Sequence, residues 1–144
     1  MASVGDRAPD FTLTDQHGQS IALSSVSMPA LIVFIPAAFT PVCHDELRAL
    51  RSIAGRVRVL VVACDSMYVL RALDEAEQLG FPLLSDFWPH GETAKAYGVF
   101  LEDKGFAIRG SFVVDKDGIV RWAVVNGPGE ARNADDYAAA LAAL

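Results

Sequence analysis

Ala30-Leu31-Ile32-Val33-Phe34-Ile35-Pro36-Ala37-Ala38-Phe39-Thr40-Pro41-Val42-Cys43-His44-Asp45-Glu46-Leu47 runs from an unbroken apolar segment into a helix start within a few residues. The run from Ala30 to Ile35 has the character of a strand covered on both faces. It stops at Pro36, because a proline cannot donate to the ladder and the residue before it avoids the helical region. Thr40 suits an N-cap and Pro41 suits the first helical position. Leu47, Leu50 and Ala54 follow Cys43 on one face of a helix predicted over Thr40 to Ala54. A second apolar run, Val57 to Cys64, comes next. Strand, helix and buried strand predict a right-handed βαβ unit with its strands parallel.

Phe11 to Leu13 and Ser20 to Leu23 flank the polar stretch Asp15-Gln16-His17-Gly18-Gln19, which reads as an N-terminal β-hairpin. Ser66 to Leu79 has helical spacing, with Val69, Leu70, Leu73 and Ala76 on one face, Ser66 as N-cap and Gly80 as the stop. Leu83 to Ser85 reads as a short strand and Glu92 to Tyr97 as a short helix. Ile108 to Val114 and Ile119 to Val125 enclose Asp115-Lys116-Asp117-Gly118, a strong hairpin signal. Asn133 to Leu144 closes the chain as a helix carrying Tyr137, Leu141 and Leu144. A parallel unit near the start and an antiparallel hairpin near the end suit a thioredoxin-like three-layer α/β/α fold with a central mixed sheet, as one domain over residues 1–144.

Composition agrees with that. A length of 144 residues fits one domain and buries about 70% of the unfolded surface without a disulfide or metal staple. Apolar residues at 52% and charged residues at 21% exclude a disordered tail. A formal net charge of -6 with no basic run gives no footing for nucleic acid. The longest apolar run falls well short of the about 20 residues needed to span a bilayer, and the first residues lack the apolar core of a signal peptide. A cytoplasmic location away from membranes is expected. The two cysteines, Cys43 and Cys64, are too few for a disulfide scaffold. No Cys/His pair has zinc spacing and no Gly-rich phosphate loop is present, so neither metal nor cofactor is expected.

Cys43 falls at about the third residue of its helix, where backbone N–H groups lack helical acceptors and the dipole end is positive. A sulfur there is stabilised as thiolate. Residue types and spacing leave a second reading open, a core cysteine packed against Leu47. Cys43-His44-Asp45-Glu46 is not Cys-x-x-Cys, which argues against a dithiol oxidoreductase.

The Pro36-x-x-x-Thr40-x-x-Cys43 spacing resembles the active-site motif of the peroxiredoxins, the cysteine-dependent peroxidases. Val4 to Phe11 resembles the family's opening. Cys64-Asp65-Ser66 sits where members run from a strand end into the next helix, and Arg109 to Asp115 resembles the block carrying the family's active-site arginine. Phe81 to Gly91 is most similar to the one-cysteine alkyl hydroperoxide reductase E subgroup. The resemblance implies a peroxidase acting on hydrogen peroxide and organic hydroperoxides. Cys43 would be the nucleophile that becomes a sulfenic acid, and Thr40 would hydrogen-bond sulfur and peroxide. Arg109 would stabilise thiolate and developing charge, Pro36 would exclude water, and Glu46 would orient the arginine. For Glu46 a solvated carboxylate is the other reading, and Arg121 is the rival arginine, taken as a surface side chain.

Cys64 reads either as strand packing or as a resolving thiol that would form a disulfide with Cys43, as in bacterioferritin-comigratory-type peroxidases. Family members keep a resolving cysteine five residues after the nucleophile, where this chain has Arg48, or in later segments. A one-cysteine cycle recycled by an external thiol or a glutaredoxin- or thioredoxin-like reductant is therefore favoured. A redox-sensing binding protein is the alternative from another class. Phe39, Phe87, Trp88 and Phe100 are candidates for an apolar rim or for the contact of a homodimer. His44, His17 and His90 give little support for other chemistry.

Overall fold

The computed structural model describes residues 2–26, 29–126 and 134–142; side chains at 41–44, 126, 134–136 and 138 are outside that description. Strands β1 (Thr12–Thr14) and β2 (Ser20–Ala22) form the N-terminal hairpin. They are followed by β3 (Ala30–Phe34), α1 (Pro41–Leu50), β4 (Arg58–Ala63), α2 (Met67–Glu77), β5 (Leu83–Ser85) and α3 (Glu92–Ala96). A small ribbon, β6 (Phe100–Leu101) with β7 (Phe106–Ala107), precedes β8 (Arg109–Val114), β9 (Val120–Asn126) and α4 (Ala134–Ala142). The main sheet has the order β2-β1-β5-β4-β3-β8-β9. β3 runs parallel to β4 and antiparallel to β8, so the sheet is mixed.

Side-chain alternation divides the interior in two. Leu31, Val33 and Ile35 of the β3 segment face the same way as Val59 and Val61 of β4, and pack with Leu47 and Leu50 of α1, Leu70 and Leu73 of α2 and Tyr137 of α4. Ile32, Phe34, Leu60 and Val62 face the opposite way, toward Ala94 and Tyr97 at α3. All five residues of β3 are buried, which explains why its sequence is continuously apolar rather than alternating. The layers, the parallel βαβ unit and both hairpins agree with the sequence reading.

Three expectations need correction. The helix after Cys43 ends at Leu50; residues 51–56 continue as turns, with Ile53 N–H bonding the Leu50 carbonyl at 3.2 Å. Ile53 and Val57 are still buried, so the apolar spacing reflects burial in turns as well as in helix. In α2 only Leu70 and Leu73 of the anticipated face are buried, whereas Val69 and Ala76 are exposed. Val69 and Ala76 lie to one side of the buried line, and Glu77, which continues that line, is held by a forked bond from Arg48 of α1 at 2.6 and 3.1 Å. The left-handed stop of α2 is Gln78 (φ 52°) and not Gly80. Of the C-terminal helix, Asn133 and Leu144 lie outside the described residues, while Tyr137 is buried as expected.

Candidate active site

The site forms where β3 gives way to α1. Ile35 still joins the sheet through its N–H to the Val62 carbonyl at 3.0 Å, and the buried Pro36 follows. The chain then crosses Ala37 and Ala38 to Phe39, whose φ of +65° is in the left-handed region. For a residue with a bulky side chain that conformation costs about 1–2 kcal/mol, and it persists only where surrounding contacts dictate it. The Ala38 N–H, one residue earlier, donates to the Asp65 carboxylate at 2.7 Å. Asp65 is itself fixed, since its carbonyl accepts the Ser85 hydroxyl at 2.7 Å.

Thr40 occupies the N-cap and Pro41 the first turn, as the sequence predicts, but the Thr40 side chain does not cap the helix. Its hydroxyl turns back and donates to the Ala37 carbonyl at 3.2 Å. Cys43 is the third residue of α1, in its first turn. Its side chain lies outside the described residues, as does that of His44.

One turn further along α1, Glu46 accepts a hydrogen bond from the Arg109 guanidinium. Arg109 is 1% exposed and Glu46 7% exposed. Glu46 is therefore no solvated carboxylate; it is the buried counterion of the arginine. Arg109 reaches it because β8 alternates, which puts Arg109, Ser111 and Val113 on one face of the strand, and Val113 packs in the layer that includes α1. Residues three apart on a helix are neighbours, so position 43 and the Arg109–Glu46 pair belong to one end of one layer. Arg121 is exposed and paired with Asp115 at 2.5 Å, as a surface residue should be. Next along β8, the buried Ser111 hydroxyl shares a 2.8 Å hydrogen bond with the Tyr137 hydroxyl of α4. The sequence reading did not single out that pair. Nor did it single out Asp65, for which the only signal was a carboxylate at a strand end preceding a helix cap.

Cys64 stands apart. It continues the alternation of Leu60 and Val62, toward the α3 face, and is 7% exposed. Burial pushes its thiol up to about 12, reinforced by the Asp86 and Asp65 carboxylates and opposed by the Ala107 N–H and by Lys95. Asp86 lies in the same layer, its carboxylate accepting the Thr93 and Ala94 N–H groups at 3.0 and 2.9 Å at the start of α3. Helix α1 packs on the other face of the sheet.

Phe39, Phe87 and Trp88 are exposed, at 48%, 52% and 81%. Phe100 departs from the anticipated rim: it is half-buried beside His90, with the Lys95 ammonium 4.9 Å from its ring centroid. His90 ring nitrogens lie 3.1 Å from the Phe87 carbonyl and 2.7 Å from that of Gly105, so this histidine shapes the loop. Among the described residues no group of three His, Cys, Asp or Glu side chains is placed to hold a metal, and no helix is long and apolar enough to cross a membrane.

The AhpC/TSA family model matches residues 4–123. Alkyl hydroperoxide reductase E of Mycobacterium tuberculosis is 42% identical over 151 residues, covering 100% of this chain and 99% of the relative. Among solved structures, AhpC of Enterococcus faecalis superposes with a TM-score of 0.90 at 27% identity, covering 99% of this chain and 92% of that one. The peroxidoxin BcpB of Mycobacterium tuberculosis superposes with a TM-score of 0.85 at 29% identity, covering 100% and 99%.

Proposed function

The chain belongs to the AhpC/TSA family of peroxiredoxins, and from that premise we propose a thiol-dependent peroxidase in which Cys43 is the nucleophile. The buried Arg109–Glu46 pair, one helical turn from Cys43, is the observation that supports this assignment of roles most directly. The Cys43 thiolate attacks the terminal peroxide oxygen. A sulfur–oxygen bond forms, the O–O bond breaks, and the sulfur is oxidised to sulfenic acid while water or an alcohol departs. The Arg109 guanidinium, aimed by Glu46, stabilises the thiolate and the negative charge on the separating oxygens. Because the Thr40 proton is committed to the Ala37 carbonyl, the hydroxyl oxygen offers its lone pairs to the O–H of the peroxide. Pro36 keeps water from the sulfur. An external thiol condenses with the sulfenic acid, releasing water, and a second thiol frees Cys43.

Cys64 takes no part in this cycle. A thiol pushed up to about 12 supplies almost no thiolate at neutral pH, and it sits toward the face of the sheet away from α1. We further propose one domain over residues 1–144, a cytoplasmic location, and a homodimer whose contact includes the exposed Phe39, Phe87 and Trp88. The decisive experiment is a non-reducing mass measurement after one equivalent of peroxide. A gain of one oxygen confined to Cys43 is expected. A loss of two hydrogens would establish the Cys43–Cys64 disulfide instead, and failure to turn over with any thiol would leave a sensor.

A further inference from the structure

We propose that Asp65 is a positioning residue for the peroxidase site, holding the turn that presents Thr40 and the start of α1 by accepting the Ala38 N–H. The inference rests on the peroxidase reading above. The turn from Pro36 to Thr40 carries a left-handed Phe39, a conformation its side chain resists, and Phe39 is half exposed. Such a residue relaxes unless the backbone around it is tied down. Before it, Ala38 is bound to Asp65 by a charge-assisted hydrogen bond of 2.7 Å. After it, the Thr40 hydroxyl closes back on Ala37 at 3.2 Å. Of these two ties, only that to Asp65 comes from outside the turn.

Asp65 suits the task because it is anchored independently. It follows β4, the strand beside β3, and its carbonyl accepts the Ser85 hydroxyl at the end of β5. The adjacent Ser66 caps α2, accepting the Val69 N–H at 3.4 Å. A path of hydrogen bonds thus runs from Ser85 through Asp65 to Ala38, and so to the residues that hold the peroxide. Burial raises the Asp65 carboxyl above its usual range, and the Ala38 N–H opposes that shift, as expected of a carboxylate kept for its acceptor role.

The test compares Asp65→Ala, which removes the acceptor, with Asp65→Asn, which keeps an oxygen of similar reach without the charge. Single-turnover reduction of hydrogen peroxide is followed by stopped flow, with iodoacetamide alkylation of Cys43 across pH in parallel and circular dichroism as the check on fold. Displacing a catalytic group by about 1 Å can cost a hundredfold in rate. Asp65→Ala is expected to lose tenfold or more, and Asp65→Asn to keep at least a third of the parent rate. The Cys43 alkylation midpoint should rise in the alanine variant only. A parent-like rate and midpoint in Asp65→Ala would overturn the proposal, as would equal losses in both variants, which would assign the effect to charge. If Asp65→Ala does not fold, exchange of the Ala38 amide decides: protection in the parent and in Asp65→Asn supports the tie, and exposure in the parent refutes it. A parent without peroxidase turnover refutes the peroxidase reading separately, and the alkylation midpoints still judge the tie.

Discussion

Removing the Arg109 guanidinium should damage stability and catalysis by separable amounts. Arg109 and Glu46 are 1% and 7% exposed, so the modest worth of a surface pair does not apply. Arg109→Met leaves the Glu46 charge buried without this partner, at a cost of about 3–5 kcal/mol. At about 2–4 °C per kcal/mol in a domain near this size, Tm should fall by roughly 10 °C. Adding Glu46→Leu removes the remaining buried charge and should restore most of that loss, since apolar replacement of a buried pair is commonly neutral or better. The rate behaves differently. Were the Cys43 thiol to rise from about 6 to the ordinary value of about 8.5, the thiolate fraction at pH 7.4 would drop only from roughly 96% to roughly 7%. That is about thirteenfold, or about 1.5 kcal/mol. A donor aimed at the transition state is worth about 10²–10³. Both Arg109→Met and the double variant should therefore lose far more rate than their measured thiolate fractions explain. Calorimetry gives Tm, iodoacetamide alkylation gives the thiolate fraction, and stopped flow gives the rate. A rate that tracks thiolate fraction alone, or that returns with stability in the double variant, refutes the role of Arg109.

Two further outcomes follow from the α3 layer. The folded chain holds the Cys64 proton up to about pH 12, whereas the unfolded chain releases it at about 8.5. That stabilisation is complete below the unfolded value and is lost as pH rises through this window. Cys64→Ala should flatten the alkaline decline in urea-unfolding free energy, and an unchanged slope would contradict the burial argument. Asp86→Ala removes the acceptor of two N–H groups at the start of α3 and should cost about 1–3 kcal/mol by the same measurement; a loss under a few tenths would show that water replaces the carboxylate.

Local signals made most of the frame legible. The buried strands announced themselves by continuous apolar runs, the last hairpin by Asp115-Lys116-Asp117-Gly118, and the start of α1 by Thr40-Pro41. What stayed hidden depends on contacts between segments distant in sequence. The Arg109–Glu46 pair spans 63 positions; only the family resemblance implies it, since no spacing rule distinguishes a buried glutamate at that place from an exposed one. The role of Asp65 depends on a bond to Ala38 across 27 positions. Glu77 on the α2 face is bound by Arg48 of another helix, 29 positions away. The Thr40 hydroxyl shows the opposite limit: its type fits an N-cap, yet the tight turn gives it a nearer acceptor.

In the one-cysteine cycle proposed above, with Cys64 facing α3 across the sheet from α1, the lifetime of the once-oxidised enzyme is set by the supply of external thiol and not by the chain. Each catalytic cycle draws two electrons from the surrounding thiol pool. When that pool is depleted while peroxide persists, the next oxidation proceeds to sulfinic acid, a state ordinary thiols do not reverse. The same architecture that spares the protein an internal rearrangement makes its survival a gauge of how much reductant remains.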